Sequence, residues 1–255
     1  MLFRSTKFKL QLICVSIFSL TLFSCSQDEK DFPVTHSEKN CSYTAVELGL
    51  SESEFSELSP KQRERRAANL QLSEFVSLKD SVYKLTISQE EAEAMGISSE
   101  MYAKALNEIN LANETIAKSN KEGTPIILTD VKSSVQEFKQ KKRIYAPFDT
   151  RSGNNGRDQY GYIETDGNSE GNDFFMPTNQ KSNVLFTCQT KVALIPVYTC
   201  KTYVFNTWNS GIATGALGTR TEVKVLLAAS GSGLTAKLCF ATTDSNGGRC
   251  NWRAI

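Results

Sequence analysis

Histidine is nearly absent from this sequence, and the only one, His36, lies in a polar stretch near the amino terminus. A Ser-His-Asp triad, a Cys-His pair and a histidine-based metal centre are therefore excluded from the folded body. The sequence also lacks the glycine-rich loops that bind nucleotides, and it has no Ser-x-x-Lys constellation with its partner motifs. Catalysis by carboxylates alone, as in glycosidases, is not excluded by these absences.

A strong excess of charge is absent too, with 29 Lys plus Arg against 28 Asp plus Glu. Nucleic-acid binding requires a marked basic excess, so we expect no nucleic-acid partner. Long apolar runs are equally scarce. The run from Leu10 to Phe23 is shorter than the roughly 20 residues that a membrane-spanning helix needs, and no later segment is apolar enough to span a bilayer.

Three basic residues and no acidic residue precede this run, namely Arg4, Lys7 and Lys9. A basic segment followed by a short apolar run is typical of a secretory signal. The run ends in Leu22-Phe23-Ser24-Cys25, which resembles the lipobox of bacterial lipoproteins. The resemblance implies that the Cys25 thiol is acylated, by palmitate or a similar fatty acid, and that residues 1–24 are removed as a signal peptide. An ordinary signal peptide with an incidental cysteine is the alternative.

Without residues 1–24, the chain has 26 Lys plus Arg against 28 Asp plus Glu, a formal charge of −2. Residues 25–50 are mostly polar and predict a lipid-anchored leash. The acidic stretch Ser-Gln-Asp-Glu-Lys-Asp after Cys25 resembles the export signal of surface lipoproteins of the Bacteroidota type. This resemblance implies an outer-membrane protein displayed on the cell surface, although a polar tether on an anchor that faces the periplasm would look similar.

Residues 51–122 predict a helical segment of three or four short helices. Capping boxes begin at Ser51 and Ser88, and Pro60 suits a first helical turn. Apolar residues at helical spacing extend the pattern through Leu78, Val82 and Leu85. Gly123 is a residue at which the helical segment is expected to end.

A connecting segment, residues 123–143, predicts one more helix after Thr129-Asp130, with Val131, Val135 and Phe138 on one face. Basic residues are concentrated at the end of this helix, up to Arg143. Positive charges there interact favourably with the negative end of the helix dipole. The alternative is a processing site, at which cleavage near Arg143 would release the part that follows.

Residues 144–255 predict a disulfide-containing β domain. Their apolar residues alternate with period two in several short runs, which is typical of antiparallel strands. Gly231-Ser232-Gly233 and Asn246-Gly247-Gly248 suit hairpin turns. The fold class expected for the whole chain is α+β, with an amino-terminal helical segment and a mostly antiparallel β-sandwich or barrel.

Four of the seven cysteines fall in this β domain, and they are the disulfide candidates of an exported protein: Cys188, Cys200, Cys239 and Cys250. Four cysteines allow three connectivities. Sequential pairing is the first choice, because hairpins around Ile195-Pro196 and the Asn-Gly-Gly turn would bring each pair into opposition. Cys41 is left over, and the spacings do not match a zinc site.

One polar loop predicts a second kind of site, a calcium site, through oxygen ligands at Asp166, Asn168, Glu170 and Asp173. Pro177 occupies the position where a calcium loop carries its bidentate glutamate, and a solvated Asn/Gly/Asp turn is the alternative.

Aromatic residues of the β domain are the candidates for ligand binding, above all Tyr160, Tyr162 and Trp208; the wider set adds Phe174, Phe175 and Trp252. Our first functional hypothesis is a surface-exposed module that binds a glycan or a protein. The alternatives are a carboxylate-based hydrolase, with two acids about 5–9.5 Å apart, and the precursor cleaved near Arg143.

Overall fold

The structure is a computed structural model that describes residues 43–141, 153–154, 159–177, 181–227 and 233–255. These residues belong to one compact unit, which extends from Cys41 to Ile255. The predicted lipid site at Cys25 and the predicted processing site at Arg143 both lie outside the described residues.

Five α-helices begin at the signals that the sequence carries. They are α1 (Glu52–Ser56), α2 (Pro60–Leu72), α3 (Gln89–Ala94), α4 (Ser99–Glu122) and α5 (Val131–Lys141). Capping boxes at Ser51 and Ser88 satisfy the first amides of α1 and α3, as expected. Gly123 ends α4 in the left-handed conformation.

Twelve strands are present in the described part of the chain. They are β1 (Val76–Lys79), β2 (Val82–Leu85), β3 (Ile126–Ile127), β4 (Gly153–Asn154), β5 (Gln159–Thr165), β6 (Gly171–Phe175), β7 (Asn183–Gln189), β8 (Val197–Val204), β9 (Thr207–Thr214), β10 (Thr221–Leu226), β11 (Ala236–Thr242) and β12 (Gly248–Ala254).

The strands form a small hairpin, β1-β2, and two five-stranded sheets. Sheet I has the order β10-β7-β12-β5-β4, and sheet II has the order β3-β9-β8-β11-β6. Every pairing is antiparallel except that of β3 with β9. The predicted α+β class with mostly antiparallel strands is confirmed, and the described strands do not close into a barrel.

Sheets I and II pack their inner faces together around one apolar cluster. Phe186 and Trp252 come from sheet I, and Leu238 and Phe240 come from sheet II. Alternation along each strand explains this arrangement, because every second side chain points to the same face of a strand.

The expected helix through Leu78, Val82 and Leu85 is wrong. These residues belong to the β1-β2 hairpin, whose turn residues Asp80 and Ser81 have φ values of 52° and 61°. Left-handed values at both turn positions match the twist of two antiparallel strands, so the turn chemistry overrides an apolar spacing that suits a helix equally well.

A second apolar cluster joins the helices to the β7–β8 connection, residues 190–196. Val192, Leu194 and Ile195 of this connection are at most 1% exposed. Buried loop backbone needs partners, and α2 supplies them. The Asn69 amide donates to the Val192 carbonyl at 2.8 Å, and the Arg66 guanidinium donates to the Lys191 carbonyl.

The buried hydroxyl of Tyr83 connects β2 with the segment before α5 and with the end of β9. The hydroxyl lies 2.7 Å from the Thr129 carbonyl and 2.6 Å from Thr214 Oγ1, and burial raises the pKa of the phenol. We expect Tyr83→Phe to lower the free energy of unfolding by about 1–3 kcal/mol, because the Thr129 carbonyl loses its hydroxyl donor and Thr214 Oγ1 loses its hydrogen-bond partner. Urea denaturation measures this loss. Tyr203→Phe is the control, since its exposed hydroxyl contacts only a side chain of the next turn, and an equal loss in both variants would contradict the assignment.

None of the described helices is both long enough and apolar enough to cross a membrane.

Candidate ligand-binding face

Aromatic side chains line up across the outer face of sheet II. Trp208 of β9 lies directly opposite Tyr203 of β8, which is opposite Lys237 of β11, which is opposite Phe174 of β6. We call these four residues the Trp208 row. Trp208 is 51% exposed and Phe174 is 58% exposed, so both rings are accessible to a ligand. The row spans three strand spacings, or roughly 14 Å.

Trp208 and Tyr203 form the tightest part of this row. Their ring centroids are 4.6 Å apart and their planes are inclined by 38°. The Tyr203 hydroxyl lies 2.9 Å from Asn206 Oδ1, in the turn between β8 and β9. These contacts hold the two rings in one orientation, which lowers the entropy that a ligand must remove when it binds.

Polar residues form the adjacent row of the same face. Ser210, Lys201, Cys239 and Asn172 are opposed across the same four strands. The Lys201 ammonium pairs with the Glu170 carboxylate, and the Cys239 thiol lies 3.1 Å from Asn172 Oδ1. The face therefore combines exposed aromatic rings with polar groups that can form hydrogen bonds.

The other predicted aromatic residues lie elsewhere. Tyr160 and Tyr162 are on β5, at half-buried positions of the outer face of sheet I, with Asn251 opposite Tyr162. Burial raises the pKa of Tyr162. The structure thus does not bring Trp208 together with Tyr160 and Tyr162, because the two sheets and their shared core separate them. Among the wider set, only Phe174 joins Trp208; Phe175 and Trp252 are core residues that pack together at 4.8 Å between ring centroids.

Three of the four residues of the predicted calcium loop, Asp166, Glu170 and Asp173, have side-chain partners. Asp166 Oδ1 accepts hydrogen bonds from the amides of Asn168 and Ser169, which closes the β5–β6 turn. Asp173 Oδ2 accepts from the Trp252 indole at 2.7 Å, and Glu170 pairs with Lys201. Within the described residues, no group of three or more acidic, histidine or cysteine side chains is arranged to hold a metal ion. The calcium site stays a prediction.

The predicted cysteine hairpins are absent. β7 and β8 belong to different sheets, as do β11 and β12, so both connections cross between the sheets and do not close hairpins. The described residues contain no disulfide bond. Cys239 and Cys250 cannot pair as expected, because Cys239 lies on the outer face of sheet II and Cys250 lies in the core.

Three of the cysteines do meet in the core. Cys250 lies directly opposite Cys188 in sheet I, and Cys200 reaches them from sheet II. The Cys188 Sγ atom is 3.5 Å from the Sγ atoms of both Cys200 and Cys250. All three residues are fully buried, and burial raises the pKa values of the Cys188 and Cys250 thiols.

Two carboxylates, one from the buried residue Asp244 and one from the largely buried residue Glu108, hold the β7–β8 connection. Asp244 Oδ2 accepts from the Ala193 amide at 3.0 Å, and Glu108 Oε2 accepts from the Leu194 amide at 2.5 Å. Burial raises the pKa of Glu108; its ion pair with Arg65 opposes this rise, and the negative charge of Asp244 adds to it. These bonds give both carboxylates a structural role, because they satisfy two amides of the β7–β8 connection.

Tyr203 and Lys237 are the members of the Trp208 row that the sequence analysis missed. The signal was present in β8, where charged Lys201 marks the outer face and Tyr203 is two residues further on. Their alignment with Trp208 and Phe174 could not be predicted from the sequence, because it depends on which strands are neighbours.

Comparisons with known proteins identify no relative. No family model matches the chain, and no curated protein matches it. Among solved structures, the crystal structure of tripeptidyl peptidase 2 matches 41% of this chain and 10% of its own chain, with 13% identity and a TM-score of 0.32. A likeness this low supports no inference about fold or activity.

Proposed function

We propose that this chain is a lipid-anchored outer-membrane protein that binds a glycan at the cell surface through the Trp208 row. The single observation that carries the glycan proposal is the alignment of Trp208, Tyr203 and Phe174 on an exposed sheet face. The lipobox-like sequence ending at Cys25 supports the membrane attachment.

The shape of the face favours an extended ligand. The row is one residue wide and crosses four strands, so its aromatic surface is long and narrow. Aromatic rings pack against the C–H faces of sugar rings, while Asn172, Lys201 and Lys237 lie where they can hydrogen-bond hydroxyl groups. A short run of linked sugar rings fits a platform of roughly 14 Å.

A protein partner fits this face less well. A stable protein interface buries about 800 Å² on each partner, centred on well-packed hydrophobic residues. The exposed rings of the Trp208 row are interrupted by Lys237 and bordered by the polar row. This mixture suits the alternating polar and apolar surface of a carbohydrate.

Affinity electrophoresis tests this proposal with the detergent-solubilised lipoprotein and soluble polysaccharides: a xylan, a mixed-linkage β-glucan, a mannan and mucin glycans. We expect retardation by at least one of them. Trp208→Ala and Phe174→Ala are each expected to weaken that binding about tenfold or more, because an aromatic residue at a binding hot spot contributes about 2 kcal/mol.

Tyr160→Ala is the matched control, since it removes an aromatic ring from the outer face of the opposite sheet. Its binding should equal that of the wild type. The proposal fails if the wild type binds none of these glycans, or if Trp208→Ala binds as tightly as Tyr160→Ala.

A further inference from the structure

In the cluster of three core cysteines, Cys188, Cys200 and Cys250, the sulfur atom of Cys188 contacts the other two. The Sγ atom of Cys188 is equidistant, at 3.5 Å, from the Sγ atoms of Cys200 and Cys250. Cys200 lies across the core in sheet II, whereas Cys250 lies on the neighbouring strand of sheet I. A disulfide bond has a length of about 2.05 Å, so a small movement would bring either sulfur atom within bonding distance of Cys188 Sγ, where an oxidant can join the two. Cys188 can bond to only one of them.

We propose that Cys188 forms a single core disulfide with either of two interchangeable partners: Cys200 in the wild type, and Cys250 when Cys200 is absent. Cys239 takes no part, because its thiol faces the outer surface of sheet II beside Asn172. This proposal needs an oxidising compartment, and in the cell it therefore rests on the export that the proposed function assumes.

The preference for Cys200 follows from the order of events during folding. The thiols are inaccessible once the core has closed, so oxidation precedes complete burial. Cys188 and Cys200 are 12 residues apart in the chain, whereas Cys188 and Cys250 are 62 apart. Loop closure becomes less favourable as the three-halves power of loop length, which favours the shorter loop by roughly tenfold.

The Cys188–Cys200 bond forms by an ordinary thiol–disulfide exchange, in which atoms and electrons balance. The Cys188 and Cys200 thiols together lose two protons and two electrons as their S–S bond forms. The oxidant is the disulfide of oxidised glutathione, or of an exported thiol oxidoreductase, and it leaves as two thiols. Cys250 stays reduced in the core.

Peptide mapping without reduction tests this pairing. The full-length chain is refolded in a glutathione redox buffer, unfolded in iodoacetamide and digested with trypsin. Lys191 separates Cys188 from Cys200, and Arg249 separates Cys239 from Cys250, so each of these cysteines falls in a different peptide. We expect the linked pair Cys188–Cys200, at about ten times the yield of Cys188–Cys250, with Cys239 alkylated.

Two variants make the test sharper. Cys200→Ala is expected to convert the linked pair to Cys188–Cys250, whereas the control Cys239→Ala should leave Cys188–Cys200 unchanged. A bridge that includes Cys239 or Cys41 in the wild type, or Cys188 fully alkylated in Cys200→Ala, would overturn the proposal. The membrane-extracted protein is mapped in parallel. If the refolded protein has the bridge but the membrane-extracted protein has free thiols, the pairing is supported and the proposed export is refuted.

Discussion

Replacement of Cys25 by serine is expected to abolish fatty-acid labelling of the protein and to release it from membranes. A serine hydroxyl is a far weaker nucleophile than a thiol, so the lipid-modifying enzyme implied by the lipobox-like sequence has no substrate. Lipid attachment supplies about 0.8 kcal/mol per buried methylene, and without residues 1–24 the chain has a formal charge of only −2. Loss of the acyl chains therefore removes the main source of membrane affinity.

Metabolic labelling with a radioactive or alkyne-tagged fatty acid measures this effect, together with fractionation of membranes. Cys41→Ser is the control, because it removes a nearby cysteine that follows no lipobox-like sequence. It should label as strongly as the wild type. Labelling that persists in Cys25→Ser, or that disappears in Cys41→Ser, would refute the attachment site.

Replacement of Glu108 by alanine is expected to lower the free energy of unfolding by about 3–5 kcal/mol, the usual loss when one partner of a buried ion pair is removed. The Glu108 carboxylate accepts from the Arg65 guanidinium and the Leu194 amide, both at 2.5 Å. The variant leaves the largely buried positive charge of Arg65 and the Leu194 amide without this acceptor. Thermal denaturation should show a melting temperature lower by about 10 °C.

Glu114→Ala is the matched control, since Glu114 is an exposed residue of the same helix. It should stay within about 0.5 kcal/mol of the wild type. The double variant Arg65→Met with Glu108→Leu should recover part of the lost stability, because it removes both charges together. If Glu108→Ala were as stable as Glu114→Ala, the carboxylate would not hold the β7–β8 connection.

The Glu108 contact also bears on the precursor hypothesis. Arg66, Asn69 and Glu108 of the helical part bind backbone groups of residues 191–194 in the β part. Cleavage near Arg143 would leave these bonds in place, because they do not depend on chain continuity. A cut chain would therefore stay associated until something else unfolded the helices.

Local features of the fold could be predicted from the sequence, because the interactions that produce them join residues only a few positions apart. Ser51 and Ser88 begin helices through side-chain bonds to amides three residues away. Asp130 Oδ1 likewise accepts from the Ser133 amide at the start of α5. The β1-β2 hairpin was missed although its turn is equally local, since its apolar spacing suits both a helix and a strand.

The sequence by itself determined the local helix starts, the alternation of the strands and the chemistry that a single histidine excludes. Only the tertiary structure decided which strands are neighbours. That pairing depends on contacts between residues far apart in the chain, such as Cys188 with Cys250, and no short-range pattern encodes it. It replaced two expected cysteine hairpins with one three-thiol cluster. It also separated Trp208 from Tyr160 and aligned it with Phe174, because β6, the β8-β9 pair and β11 come from separate parts of the chain and must assemble before their side chains share a face.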